Sequence, residues 1–202
     1  MAGFEAHDAP MTDPRPAFQK AAEIATGVID GIRPDQLTKP TPTDYDVAGL
    51  VDHLAEVAVR AAEVGRVGDP MAVDVTGAEW HTAIAGTIAA WADGVALDQP
   101  TKIPWAPESG RQALMAWVME LTVHAWDLAR ATGQAPVWDD DVCRLALTCV
   151  LKDYPRTGRR ELFESTVGAV PFEDAVDVPA GAPLVDQVVS MAGRDPRWPA
   201  TS

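Results

Sequence analysis

The chain has 202 residues, 47% of them hydrophobic, and a formal net charge of −14 from 16 Lys and Arg against 30 Asp and Glu. That length supports one well-buried core, while the negative field repels phosphate backbones and anionic lipid, so nucleic acid and membrane surfaces are excluded as expected partners. The opening MAGFEAHDAPMTDPRP carries acids and prolines where a secretory leader needs a basic start and an apolar core. No apolar run approaches the ~18 residues of a membrane span, and a cytoplasmic location is expected.

Residues 1–12 read as a flexible N-terminus and 13–198 as a single helical domain. A first helix is predicted with Asp13 as N-cap and Pro14 at its first position, running through Phe18, Ala21, Ala25 and Val28 to Ile32, where Arg33-Pro34 stops it. The Pro- and Thr-rich stretch from Lys39 to Asp44 reads as a loop. Asp46 then caps a second helix, whose apolar stripe of Val47, Leu50, Val51, Leu54, Val57, Ala58 and Ala61 recurs at three- and four-residue steps until Gly65. His53 borders that stripe and reaches the interior from its edge.

After a loop from Arg66 to Thr76, a third helix is marked by Trp80, Ile84, Ile88, Trp91 and Val95 on one face, with His81 beside the stripe and facing solvent. The proline-bearing loop Leu97 to Gly110 contains a short apolar piece, Lys102 to Trp105, that is expected to pair as a brief strand. Ser109 or Gly110 caps a fourth, long amphipathic helix from Arg111 to Thr132, which Gly133 ends. Asp139 to Lys152 forms a fifth helix that places Cys143 and Cys149 on different faces, too far apart to bridge and without an activating neighbour. Tyr154-Pro155 breaks it. The stretches Phe163 to Val170 and Phe172 to Val178 read as irregular or weakly extended, and a short helix over Pro183 to Met191 precedes the tail GRDPRWPATS. The fold class is all-α: an antiparallel four-helix bundle with peripheral helices and an irregular C-terminal segment.

Chemistry concentrates on Glu120 and His124, one turn apart on the fourth helix and therefore on one face. With the second and fourth helices facing each other, His53 joins them, giving two imidazoles and one carboxylate. A buried Glu and His are unfavourable unless neutralised or hydrogen-bonded, and a cation does both. Three protein ligands leave room for a guest, the pattern of a catalytic rather than a structural metal. Zinc suits this set first; nickel, iron and manganese remain open. Asp127, on the same face, is placed to hold a ligand imidazole in one tautomer, or else to pair with Arg130. The bland alternative is a hydrogen-bonded core histidine, with Glu120 paired to Arg111 or Arg130.

Three segments, PTPTDYDVAGLVDHL, ELTVHAWDLARATGQ and AGRDPRW, resemble the DinB-like metal-binding superfamily, in particular the actinobacterial proteins related to the metal-binding domain of mycothiol-dependent maleylpyruvate isomerase. The resemblance implies a DinB-like bundle with His53, Glu120 and His124 as metal ligands. It further implies a small-molecule electrophilic substrate and a low-molecular-weight thiol, mycothiol, as cosubstrate of an S-transferase or isomerase, with Arg130 as an anion contact. The chain departs from the family in having Thr43 and Tyr45 where relatives carry Cys and Trp. The stretch after Tyr154 is also short for the isomerase's additional domain, so the resemblance does not carry maleylpyruvate over as substrate. The rival expectations are a metal-dependent hydrolase and a non-catalytic metal-binding bundle. A monomer and a homodimer both fit a helical domain of this size.

Overall fold

The computed structural model describes residues 13–103, 109–166 and 172–199. The expected flexible segment 1–12 lies outside them. Among the described residues seven α-helices follow one another: α1 (Arg15–Asp30), α2 (Val47–Val67), α3 (Trp80–Trp91), α4 (Gly110–Thr132), α5 (Asp140–Asp153), α6 (Arg159–Thr166) and α7 (Leu184–Met191), with short 3-10 turns at Pro34–Gln36 and Val95–Asp98. Among the described residues the β structure is limited to two isolated bridges, Pro40 with Asp46 and Pro100 with Ser109. The fold is all-helical. Lys102 and Ile103 belong to no strand, and the rest of the expected strand, Pro104 and Trp105, lies outside the described residues.

Local chemistry explains the helix ends. Asp46 Oδ1 accepts the Gly49 N–H at 2.8 Å, as a capping aspartate should. Ser109 and Gln112 form a reciprocal capping box at the start of α4, and Gly133 closes it with φ of 72°. At α1 the cap is displaced by one residue: Pro14 occupies the N-cap position, and Asp13 Oδ1 accepts the Arg15 N–H at 3.0 Å.

Gly65 does not end α2. It sits inside the helix against the Trp91 indole, where a Cβ would lie 2.9 Å from Nε1, and the left-handed stop is Gly68 three residues on. Nor does Val95 extend the α3 face. The helix stops at Trp91, Gly94 takes φ of 73°, and Val95 is exposed.

A larger correction concerns the C-terminal third. Residues 159–166, half of them in the stretch read as extended, form α6, while Val167 to Val170 lie outside the described residues. The helix start is held from across the chain, because the Asp174 carboxylate accepts the N–H groups of Gly158 at 3.1 Å and Arg159 at 2.9 Å. No local signal encodes that cap. Phe172 to Val178 is irregular, as expected.

Two apolar clusters organise the packing. The larger gathers Phe18, Leu50, Leu54, Trp91, Leu114, Leu121 and Leu128 from α1 to α4. The smaller gathers Met119, Val123, Trp126, Val150, Phe172 and Val188 from α4, α5, α7 and the segment before α7. Both cysteines are buried, free thiols in this second cluster, unbridged as their spacing on α5 indicated. The two clusters flank α4, which is buried nearly all round instead of presenting the expected polar face to water. Glu120, His124 and Asp127 run as a stripe along the seam between the two clusters.

Candidate metal centre

On this seam, α2 packs against α4 and brings His53 to Glu120. Nε2 of His53 lies 3.4 Å from Glu120 Oε1, and Nε2 of His124 lies 3.2 Å from the same oxygen. The three ligand atoms all fall within 4.8 Å of one another, and the two imidazole rings stand edge to face at 5.3 Å. Donors bound at ~2.0–2.2 Å to one ion are separated by about 3.0 to 3.5 Å in tetrahedral or facial octahedral arrangements, so these two separations suit a shared cation.

Burial is graded across the group. The side chains of Asp127 and His124 are 0% and 6% exposed, whereas Glu120 and His53 are 21% and 27% exposed. One side of the centre is sealed by core and the other is reachable from solvent. Tyr45, itself exposed, stacks on the His53 ring at 5.2 Å and forms part of that open rim.

The electrostatics are those of a tightly coupled cluster. Burial by itself would raise the Glu120 pKa, but the charges and hydrogen bonds of His124 and His53 outweigh it and hold the carboxyl far below its ordinary range. Burial by itself would likewise depress His124. The negative charge of Glu120 and the hydrogen bonds that His124 donates to Asp127 and Glu120 instead raise it to about 9. Between these carboxylates His124 is held as the imidazolium near neutrality, the place where a cation would otherwise supply the positive charge.

Asp127 takes the role of an orienting carboxylate. Its Oδ2 lies 3.0 Å from His124 Nδ1, and since a carboxylate only accepts, Nδ1 carries the hydrogen and Nε2 is left facing Glu120. The alternative pairing of Asp127 with Arg130 does not occur. Arg130 lies with its guanidinium 5.6 Å over the Trp126 ring and donates to the Trp198 carbonyl, with no contact to the trio. Glu120 pairs with neither Arg111, which binds Asp98, nor Arg130. His81 is exposed and pairs with Asp30, as its helical phase indicated.

The partner of Asp127 is Arg194, which sequence reasoning left without a role although it stands inside AGRDPRW. Its Nε lies 3.2 and 3.3 Å from the two carboxylate oxygens, its Nη2 is 3.3 Å from Oδ2, and the residue is 7% exposed. Its guanidinium also lies 5.3 Å over the Phe172 ring, which in turn lies 6.1 Å from the His124 ring. A charged residue embedded in a short motif near the C-terminus was the available signal; its partner lay 67 positions away.

Comparison with known proteins gives two relatives from Mycobacterium tuberculosis, "Uncharacterized protein MT0763" of strain CDC 1551 / Oshkosh and "Uncharacterized protein Rv0738" of strain ATCC 25618 / H37Rv. Each is 28% identical over 193 residues, covering 92% of this chain and 100% of the relative. No family model matches the chain, and no solved structure matches it significantly. Among the described residues, no helix is long and apolar enough to cross a membrane.

Proposed function

We propose that this protein is a metal-dependent enzyme of the thiol-transferase or isomerase type, built on a single DinB-like domain in which α1 to α4 form an antiparallel four-helix bundle. The observation that carries this reading is the convergence of His53, Glu120 and His124 from two helices, with the rear imidazole locked by Asp127 and one flank open. His53, Glu120 and His124 would hold the ion, zinc first, with nickel, iron or manganese as substitutes. When bound, such an ion lowers the pKa of a thiol or water at its free position.

The chain's own residues supply the rest. Asp127 fixes the His124 tautomer so that the Nε2 lone pair faces inward once the imidazole is neutral. The carboxylate of Glu120 balances the positive charge of the centre. Tyr45 presents an aromatic face on the exposed side, against which a small electrophilic substrate and a low-molecular-weight thiol such as mycothiol can pack. Arg130 has no place in this scheme, because its guanidinium is engaged with Trp126 and the Trp198 carbonyl.

Elemental analysis of purified protein should give close to one divalent ion per chain, and His124→Ala should abolish its retention. A cobalt-substituted sample should change its visible spectrum on titration with mycothiol. One ion per chain with a spectrum indifferent to thiols would refute thiol chemistry and favour hydrolysis. Protein that takes up no zinc would leave only a helical bundle without metal.

A further inference from the structure

We propose that Arg194 is a positioning residue for the His124 imidazole, and that the chain from Phe172 to Trp198 is folded so as to deliver it behind the centre. This rests on the metal-centre reading given above, but its geometry is independent of any ion. Arg194 reaches both oxygens of Asp127, and its hydrogen-bonded route to the His124 imidazole runs through that carboxylate. A carboxylate with one free rotation could turn away from Nδ1. A guanidinium spanning both of its oxygens removes that freedom.

The delivery is itself built. Arg194 donates from its backbone N–H to the Val189 carbonyl at 2.8 Å and from Nη1 to the Ala192 carbonyl at 3.1 Å. Gly193, with φ of 80°, lies so close to the Glu173 carbonyl that a Cβ there would sit 2.4 Å from its oxygen. The fully buried Arg159 ties the same two strands of chain together, donating to the Glu173 carbonyl and the Met191 carbonyl at 2.7 Å each. A segment that looks peripheral is thus pinned immediately before Arg194, at Val189, Met191 and Gly193.

Two alternatives for these contacts are weaker. A merely stabilising buried ion pair would need no third member, yet the pair is completed by an imidazole whose other nitrogen faces the trio. A substrate-binding role for Arg194 conflicts with its burial and with a guanidinium already used by Asp127 and the Ala192 carbonyl.

The test compares wild type with Arg194→Lys, Arg194→Met, Asp127→Asn and the Asp127→Asn/Arg194→Met double variant. Nitrogen-15 NMR of His124 is recorded with and without zinc, and zinc affinity is measured by chelator competition. The wild-type Nδ1 proton should be protected and its shift typical of a hydrogen-bonded donor in both states. Arg194→Met should lose that signature and bind zinc about 10- to 100-fold more weakly, the usual effect of removing an outer partner of a metal-ligating histidine.

Because Arg194 acts through Asp127, the double variant should bind zinc no more weakly than Asp127→Asn alone. Arg194→Lys, which keeps the charge in a buried site, guards against a failure of Arg194→Met to fold and should give an intermediate loss. Unchanged His124 signals and zinc affinity in both Arg194 variants, or full additivity in the double variant, would overturn the proposal. If wild type bound no zinc, the metal reading would fail, while the metal-free spectra of Arg194→Lys and Arg194→Met would still decide the role of Arg194.

Discussion

Proton and metal compete for the same place, and the competition has a size. With its pKa raised from 6.5 to about 9, His124 is almost wholly protonated at neutrality in metal-free protein, held between Glu120 and Asp127. Zinc binding at pH 7 must displace that proton, so apparent affinity should rise by about tenfold per pH unit below the pKa and level off near it, roughly 50-fold in all between pH 7 and 9. For stability the sign is opposite. A group whose folded pKa is raised contributes fully below its unfolded pKa, near 6.5, and loses that contribution as pH climbs through about 9.

The loss is on the order of 3 kcal/mol, at about 1.36 kcal/mol per pH unit between the ordinary 6.5 and about 9. For a chain of this size that is a fall of roughly 6–12 °C in Tm. The assay is differential scanning calorimetry of metal-free protein from pH 6 to 9 with His124→Ala as reference, alongside calorimetric counting of protons released on zinc binding. Metal-free protein should weaken over pH 6.5 to 9 relative to the variant, while close to one proton leaves per zinc bound at pH 7.5. A wild-type Tm that tracks the variant, together with zinc affinity independent of pH, would show that no proton resides on His124 and that the cluster is held in some other way.

Other outcomes are readable with simpler tools. Burial raises the Cys143 thiol to about 11 and, together with Asp153, pushes Cys149 higher still, so neither should react with thiol reagents at pH 8 until the protein is unfolded; rapid labelling of native protein would contradict this packing. Leu54→Ala, one residue from His53 and 0% exposed, should lower unfolding free energy by about 2–5 kcal/mol in denaturant titration, from lost burial and a residual cavity. Gly133→Ala, with nothing within 4 Å of the added Cβ, should lower stability by about 1 kcal/mol through backbone strain alone. Gly193→Ala, which meets the Glu173 carbonyl, should destabilise more than Gly133→Ala in the same titration.

Much of this molecule follows from sequence periodicity and caps. The stripe from Val47 to Ala61, the capping aspartate at 46, the cap at Ser109 and the aspartates that open the fifth helix at 139 place α2, α4 and α5 within a few residues, because helix starts depend on contacts only two or three positions apart. The same short-range logic put Glu120 and His124 on one face and Asp127 within reach of the second imidazole.

What lay beyond periodicity was every relation between distant segments. That Gly65 lies under a tryptophan rather than ending a helix, that α6 starts because Asp174 accepts its first amides, and that α4 is enclosed on two sides are facts of packing, which no local window contains. The same division runs through the centre itself. Composition and spacing named the trio and its carboxylate, but the fold alone decided that Arg194, not Arg130, faces Asp127. Helical phase sets only the direction in which a side chain leaves its own helix, whereas the charge it meets there depends on which remote segment the core has carried to that point.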